Sequence, residues 1–123
     1  MESTERLMTV TRIYTGEDQK SHFEDIKISL KDNGQIGYLS KHYTATSVIF
    51  RETGGDYNFD WHNAPQRQYV IVLEGAVEIT VGGGITRVFN SGDIFLAEDT
   101  DGQGHISRAI NNEPRKSIFI TID

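Results

Sequence analysis

The chain has 123 residues, 37% of them hydrophobic and 24% charged, with a formal net charge of −6 and no cysteine. This composition excludes a disordered tail, the missing cysteine excludes disulfides and thiolate chemistry, and the scattered Lys and Arg residues disfavour nucleic acid as a partner. Because no apolar run approaches the ~20 residues that cross a bilayer and residues 1–10 lack a signal region, we expect one cytoplasmic domain, residues 1–123, with no membrane partner.

The N-terminal part of the chain predicts two strands separated by a polar segment. Residues 8–14 and 25–30 combine β-branched, aromatic and alternating apolar residues, which is typical of strands. The segment between them, TGEDQKSHFEDI, has no apolar spacing and predicts a loop or an edge segment. We expect the strands at 8–30 to extend the sheets and to supply the interface of a homodimer.

Short apolar segments then recur to the C-terminus between Gly, Asn and Asp residues. The GGG at 82–84 is predicted as the tip of a hairpin, because glycine supplies the positive φ of such turns. A glycine turn at 54–55 leads into a strand that reaches Trp61. Few helical signals and about nine or ten short strands predict an all-β sandwich or barrel. The remaining strands are expected at 46–53, 68–73, 77–81, 85–89, 94–97, 105–110 and 116–122.

Two stretches resemble the paired motifs of the cupin superfamily, whose members are small double-stranded β-helix (jelly-roll) barrels. In DWHNAPQRQYVIVLEG, His62 stands at the first motif histidine and Gly75 at the closing glycine, with the family's spacing between them. In SGDIFLAEDTDGQGH, Gly92 opens the second motif and His105 closes it two residues late. The resemblance covers most of residues 45–123 and implies a single cupin barrel of the RmlC-like type.

Several motif ligands differ from the family pattern. Ala64 stands at the second histidine, Gln68 at the glutamate and Ala109 at the asparagine. A cupin metal site resembles a cup of three histidines and one glutamate, so the resemblance implies a site of His62, Gln68 and His105 for a divalent metal such as Fe, Mn, Ni or Zn. Two imidazoles and an amide carry no charge to offset that cation, which leaves open that the metal site has been lost.

The alternation of the strands predicts a cavity. If Gln68 faces the interior, Val70 and Val72 follow it and give one polar group over an apolar floor. His62 and His105 are also candidate catalytic residues for metal-free proton transfer, because imidazole titrates nearest to neutral pH. The acidic residues at 98–101 are predicted as a solvated loop at the mouth. We expect substrate-binding contacts from side chains near that mouth: Gln68, Trp61, Tyr57, Phe59, Arg51 and Arg67.

Two functions of different class follow for a small-molecule ligand. The first is a metal-dependent or metal-derived enzyme, in which His62 and His105 hold a metal or move protons and Gln68 orients the substrate. The second is a non-catalytic binding or sensing module that has kept the barrel and lost the metal site. The replaced ligands favour the binding module. We expect the enzyme, with the binding module as the alternative, because two histidines at both motif positions are more than a barrel needs for stability.

Overall fold

The computed structural model of the protein describes residues 5–123, so residues 1–4 of the predicted domain lie outside the described part. Two 3-10 turns, Gly34–Ile36 and Gly82–Gly84, interrupt an otherwise all-strand order. The strands are β1 (Glu5–Thr15), β2 (Ser21–Asp32), β3 (Tyr38–Leu39), β4 (Ser47–Thr53), β5 (Asn58–His62), β6 (Gln68–Glu74), β7 (Ala76–Thr80), β8 (Thr86–Asn90), β9 (Ile94–Ala97), β10 (His105–Ala109) and β11 (Arg115–Thr121).

The strands form two sheets that face each other. One sheet has seven strands in the order β3-β2-β1-β9-β6-β11-β4, and the other has four in the order β5-β10-β7-β8. Neighbouring strands are antiparallel except β1 and β9, which are parallel. The predicted all-β jelly roll is confirmed, and β1 and β2 extend the larger sheet as expected.

The core lies where the inner faces of the two sheets meet. On β6, the buried residues Val70 and Val72 alternate with the half-buried Tyr69 and Ile71, as the period-two pattern predicts. No helix among the described residues is long and apolar enough to cross a membrane. The buried core consists of Ile13, Val70, Val72, Val77, Ile79, Val81, Phe89 and Phe95.

Of the two alternatives predicted for 15–26, a loop or an edge segment, the loop is wrong in its second half, because β2 begins at Ser21 and pairs with β1 from Ser21 to Lys31. The polar residues that made this segment look like a loop in the sequence contact side chains of the neighbouring strand β1. Asp25 accepts a hydrogen bond of 2.8 Å from Thr11, and Glu24 lies 3.1 Å from the guanidinium of Arg12. Only residues 16–20 form the connection.

Candidate functional site

A cavity of about 420 Å³ lies between the two sheets. Its wall is largely apolar, built from Ile49, Phe59, Val70, Val77, Phe95 and Phe119. Polar side chains interrupt that wall, among them His62, His105, Gln68, Ser107, Arg51 and Arg115. This combination of an apolar wall and a few convergent polar groups is the usual composition of a small-molecule site.

The register of the larger sheet separates these polar groups. Arg115, Ser117 and Thr121 alternate along one face of β11, with Ser117 opposite Arg51 and Thr121 opposite Gln68. The two arginines therefore lie toward one end of β11 and Gln68 toward the other. We call the first the arginine end (Arg51 and Arg115) and the second the histidine end (Gln68 and the two histidines beside it).

Aromatic residues at the start of β5 follow the same direction, from the arginine end to the histidine end. The ring centre of Tyr57, just before β5, lies 5.2 Å from the guanidinium carbon of Arg51 and 5.1 Å from that of Arg115. Along the chain, Phe59 then stacks on His62 with ring centres 3.7 Å apart. An aromatic wall thus joins the two ends of the cavity.

His105 is held at the histidine end by a buried carboxylate. Its Nδ1 lies 2.6 Å from Oδ2 of Asp99, and the same oxygen accepts a 2.6 Å hydrogen bond from Ser21 Oγ. The His105 ring is only 6% exposed and Asp99 is fully buried. Because a carboxylate only accepts, Nδ1 is the protonated nitrogen, and Nε2 remains for a ligand.

His62 is the second imidazole of this end. Its Nδ1 donates to the backbone carbonyl of Asp60 at 2.7 Å, and its ring centre lies 4.4 Å from that of His105. Burial lowers the pKa of His62, the carbonyl of Asp60 opposes this effect, and the neighbouring His105 lowers the pKa further. The imidazole is therefore neutral at neutral pH, with Nε2 as its acceptor.

The prediction of a solvated acidic loop is wrong for Glu98 and Asp99. The side chain of Glu98 is 13% exposed and lies between the guanidinium groups of Arg12 and Arg67, each 2.5 Å away. Paired charges can be withdrawn from water at lower cost than single ones. Arg67, predicted to hold a ligand carboxylate, is therefore occupied by Glu98 and does not line the cavity. Asp101 is exposed, as predicted.

Trp61, predicted as a substrate contact, does not line the cavity and is 40% exposed. Strict alternation along β5 places Trp61 on the same face as Phe59. The strand contains a bulge, because His105 pairs with His62 while Ser107 pairs with Phe59, which leaves one extra residue in β5. That residue moves His62 onto the cavity face and Trp61 off it.

Arg115 is the residue of the arginine end that the sequence pattern did not reveal. The conspicuous pattern of β11 is its apolar stripe, Ile118 and Ile120, whereas Arg115 belongs to the alternate stripe with Ser117 and Phe119. Arg115 is 6% exposed, and its Nε and Nη1 are buried with no hydrogen-bond partner. Tyr57 and Arg51 do line the cavity beside it, where the sequence placed them.

The cavity is poorly suited to a divalent cation. Its lining has two guanidinium groups and two imidazoles but no carboxylate, so a divalent cation would be repelled by two positive charges with no anionic donor in the lining to offset them. In the described part of the chain, no group of three or more His, Cys, Asp or Glu side chains is placed to hold a metal. Metal binding by His62, Gln68 and His105 stays a prediction, and the two positively charged guanidinium groups in the cavity disfavour it.

The fold is similar to several solved structures at low sequence identity. The cupin domain of Schizosaccharomyces pombe Cnp3 is 13% identical, with a TM-score of 0.51 over 99% of this chain and 86% of that one. A putative ethanolamine utilization protein Q from Salmonella typhimurium is 14% identical (TM-score 0.49; 94% and 96% covered). Protein NMB1881 from Neisseria meningitidis is 15% identical (TM-score 0.48; 68% and 88% covered). No protein-family model and no curated protein matches the sequence.

Proposed function

The chain has the cupin fold, and we propose that it binds a small organic molecule in the cavity between its two sheets. The observation that carries this proposal is the cavity itself, about 420 Å³ of largely apolar wall with polar side chains at both ends. Small-molecule sites commonly span roughly 300–1,000 Å³ with this composition. Of the two functions that the sequence suggested, the binding module is favoured over the metal-dependent enzyme, because no carboxylate lines the cavity.

Filling the cavity tests the proposal. Ser107 lines the cavity on β10 and is 6% exposed, whereas Arg108 beside it is exposed on the opposite face of the strand. Ligands would first be found by ligand-observed NMR with a library of small aromatic and aliphatic compounds. Ser107→Leu is expected to weaken their binding by about tenfold or more, since a larger side chain occupies their volume. Arg108→Leu is the control, and equal affinities for both variants would contradict binding in the cavity.

A second candidate function is metal-free proton transfer to or from the bound molecule. The observation that favours it is the contact of His105 with the buried Asp99, which fixes the imidazole tautomer with Nε2 available to a ligand. Each compound found in the screen can be incubated in D₂O. Deuterium that enters a compound with the wild-type protein, but not with His105→Gln, would identify an enzyme. Binding without exchange would leave a binding module.

We also propose that the protein forms a homodimer through the outer face of β4, β11, β6 and β9 in its larger sheet, and not through the strands at 8–30 from which the sequence analysis expected the interface. Two rows of apolar side chains cross four neighbouring strands there, in register, and we call them the outer apolar face. Phe50 is 78% exposed and Val48 55%, and monomeric proteins rarely expose a large contiguous apolar patch. A two-fold axis lets one such face cover its own copy. The rows are Phe50–Ile118–Ile71–Ile94 and Val48–Ile120–Tyr69–Leu96. Phe50 and Val48 are exposed, Leu96 is buried, and the other five side chains are half-buried.

Phe50→Glu is expected to convert a dimer to a monomer, because it places a charge within a desolvated apolar contact. The molar mass would be measured by light scattering at micromolar protein concentration. Ile85→Glu is the matched control, since Ile85 is 57% exposed but lies in the turn between β7 and β8, away from the outer apolar face. A monomeric wild type, or dissociation of both variants alike, would refute this interface.

A further inference from the structure

We infer that the ligand is an organic acid, with its carboxylate bound at the arginine end by Arg115 and Arg51 and its apolar body against Phe59 and Phe119. This inference rests on the proposed binding function and adds the chemical class of the ligand. Phe59 and Phe119 line the cavity next to the two arginines. The guanidinium carbon of Arg51 lies 5.3 Å from the ring centre of Phe119, so charge and apolar wall adjoin.

The strongest observation is an unsatisfied buried cation. Arg115 is 6% exposed, yet its Nε and Nη1 have no hydrogen-bond partner and no acidic side chain forms an ion pair with it among the described residues. Buried charges in folded proteins are normally paired, because an isolated one is costly. Arg115 lines the cavity, so a ligand with a negative charge placed there would supply the missing counter-charge.

The surroundings of Arg115 strengthen this reading. Arg51 adds a second guanidinium to the same end of the cavity and also has no acidic partner in the described part of the chain. Ser117, two residues along the same face of β11, has a buried hydroxyl without a partner. Burial lowers the pKa of Arg115 and the nearby Arg51 lowers it further, while Tyr57 opposes them. The two lowering effects, burial and a neighbouring cation, are what a cationic site without its anion produces.

The wall of the cavity decides which kind of anion fits. An inorganic phosphate or sulfate would occupy the arginine end and leave Ile49, Phe59, Val70 and Phe119 in contact with water. A carboxylate attached to an aromatic or branched apolar group satisfies both surfaces at once, since guanidinium binds carboxylate well and apolar area gains from burial. The site therefore favours a ligand that carries one negative charge at one end and an apolar group at the other.

The test compares an acid with its neutral counterpart. Binding of 2-naphthoate and of 2-naphthalenemethanol would be measured by protein NMR on the wild type, Arg115→Met and Arg51→Met. We expect the wild type to bind the acid at least about tenfold more tightly than the alcohol, with the preference lost in Arg115→Met and reduced in Arg51→Met. Arg108→Met is the control, since Arg108 is exposed on the outer face of β10 and is expected to keep the preference.

Stability separates a binding role from a structural one. Arg115→Met replaces an unpaired buried cation with an apolar side chain of similar length, so its midpoint of thermal unfolding is expected to equal or exceed that of the wild type. A large loss of stability would instead make Arg115 a structural residue and overturn the inference. Arg115→Lys keeps the charge and is expected to retain part of the preference for the acid.

The outcomes distinguish this inference from the proposed function. If the alcohol binds as tightly as the acid, the cavity binds small molecules but the organic-acid class is wrong. If inorganic phosphate moves the Arg115 Nε–H resonance and naphthoate does not, the site takes a free inorganic anion and the inference also fails. If neither naphthyl compound nor phosphate binds at millimolar concentration, the inference fails, and the broader compound screen with Ser107→Leu still decides the proposed function.

Discussion

Asp99→Ala is expected to lower the free energy of unfolding by about 3 kcal/mol, because it leaves two buried donors without their acceptor. His105 Nδ1 and Ser21 Oγ both lie 2.6 Å from Asp99 Oδ2. Each unsatisfied donor costs about 1–3 kcal/mol, and the sum is reduced because Asp99 itself is costly to bury, with its Oδ1 unpartnered. Denaturation in urea, monitored by circular dichroism, measures the loss.

Asp101→Ala is the matched control for this prediction. Asp101 lies on the same loop but its side chain is exposed, so its replacement should change the free energy of unfolding by no more than about 0.5 kcal/mol. A double-mutant cycle with His105→Ala then isolates the contact. If Asp99→Ala acts through His105, the double variant loses less stability than the sum of the single variants. Strict additivity would show that the two side chains do not act as a unit.

The alternating strands of the central and C-terminal parts were predictable from the sequence to within a residue or two. β6 and β7 each carry a period-two pattern that one buried face imposes, and β8 on the other side of the turn at Gly82–Gly84 has the alternating burial as well. β2 was predicted too short because its polar residues are paired across the ladder with β1. Such pairing depends on a partner strand, which a single segment does not reveal.

The candidate site was predictable in part. The motif spacing brought out His62, Gln68 and His105, and the structure places all three in one cavity. Asp99 was missed because its partners Ser21 and His105 come from different parts of the fold, Ser21 being 78 residues away in the chain. A buried carboxylate in a run of acidic residues has no local signature.

The arginine end and the bulge were hidden for a different reason. Arg115 stands at the start of a strand whose apolar stripe lies on the outside of the sheet, so the usual assumption that the apolar stripe faces the core misassigns it. Trp61 was misplaced because a bulge adds one residue to β5 and nothing in the local sequence marks it. Both errors come from the orientation of strands, which is set by the packing of the two sheets.

Gly104→Ala is expected to be the most damaging single substitution at the site, with a loss of about 4 kcal/mol or more, or failure to fold. Gly104 has a φ of +78°, a conformation that costs an L residue about 1–2 kcal/mol. A Cβ atom there would also lie only 2.0 Å from the backbone carbonyl oxygen of His62. That oxygen belongs to the paired strand β5 and cannot move without the strand.

Gly83→Ala separates the two causes, because Gly83 also has a φ of +78° but a Cβ there would meet nothing within 4 Å. Gly83→Ala is expected to lower the free energy of unfolding by about 1–2 kcal/mol, the cost of the positive φ alone. The additional loss of stability in Gly104→Ala, relative to Gly83→Ala, then measures the energetic cost of the contact between a Cβ at position 104 and the backbone of β5. Separation of these strands would move His62 away from His105, whose ring centres lie 4.4 Å apart, so any folded Gly104→Ala protein should also lose ligand affinity. Equal losses of stability in the two variants would mean that the close approach at Gly104 is relieved without cost, and that the two histidines are positioned by their own side-chain contacts alone.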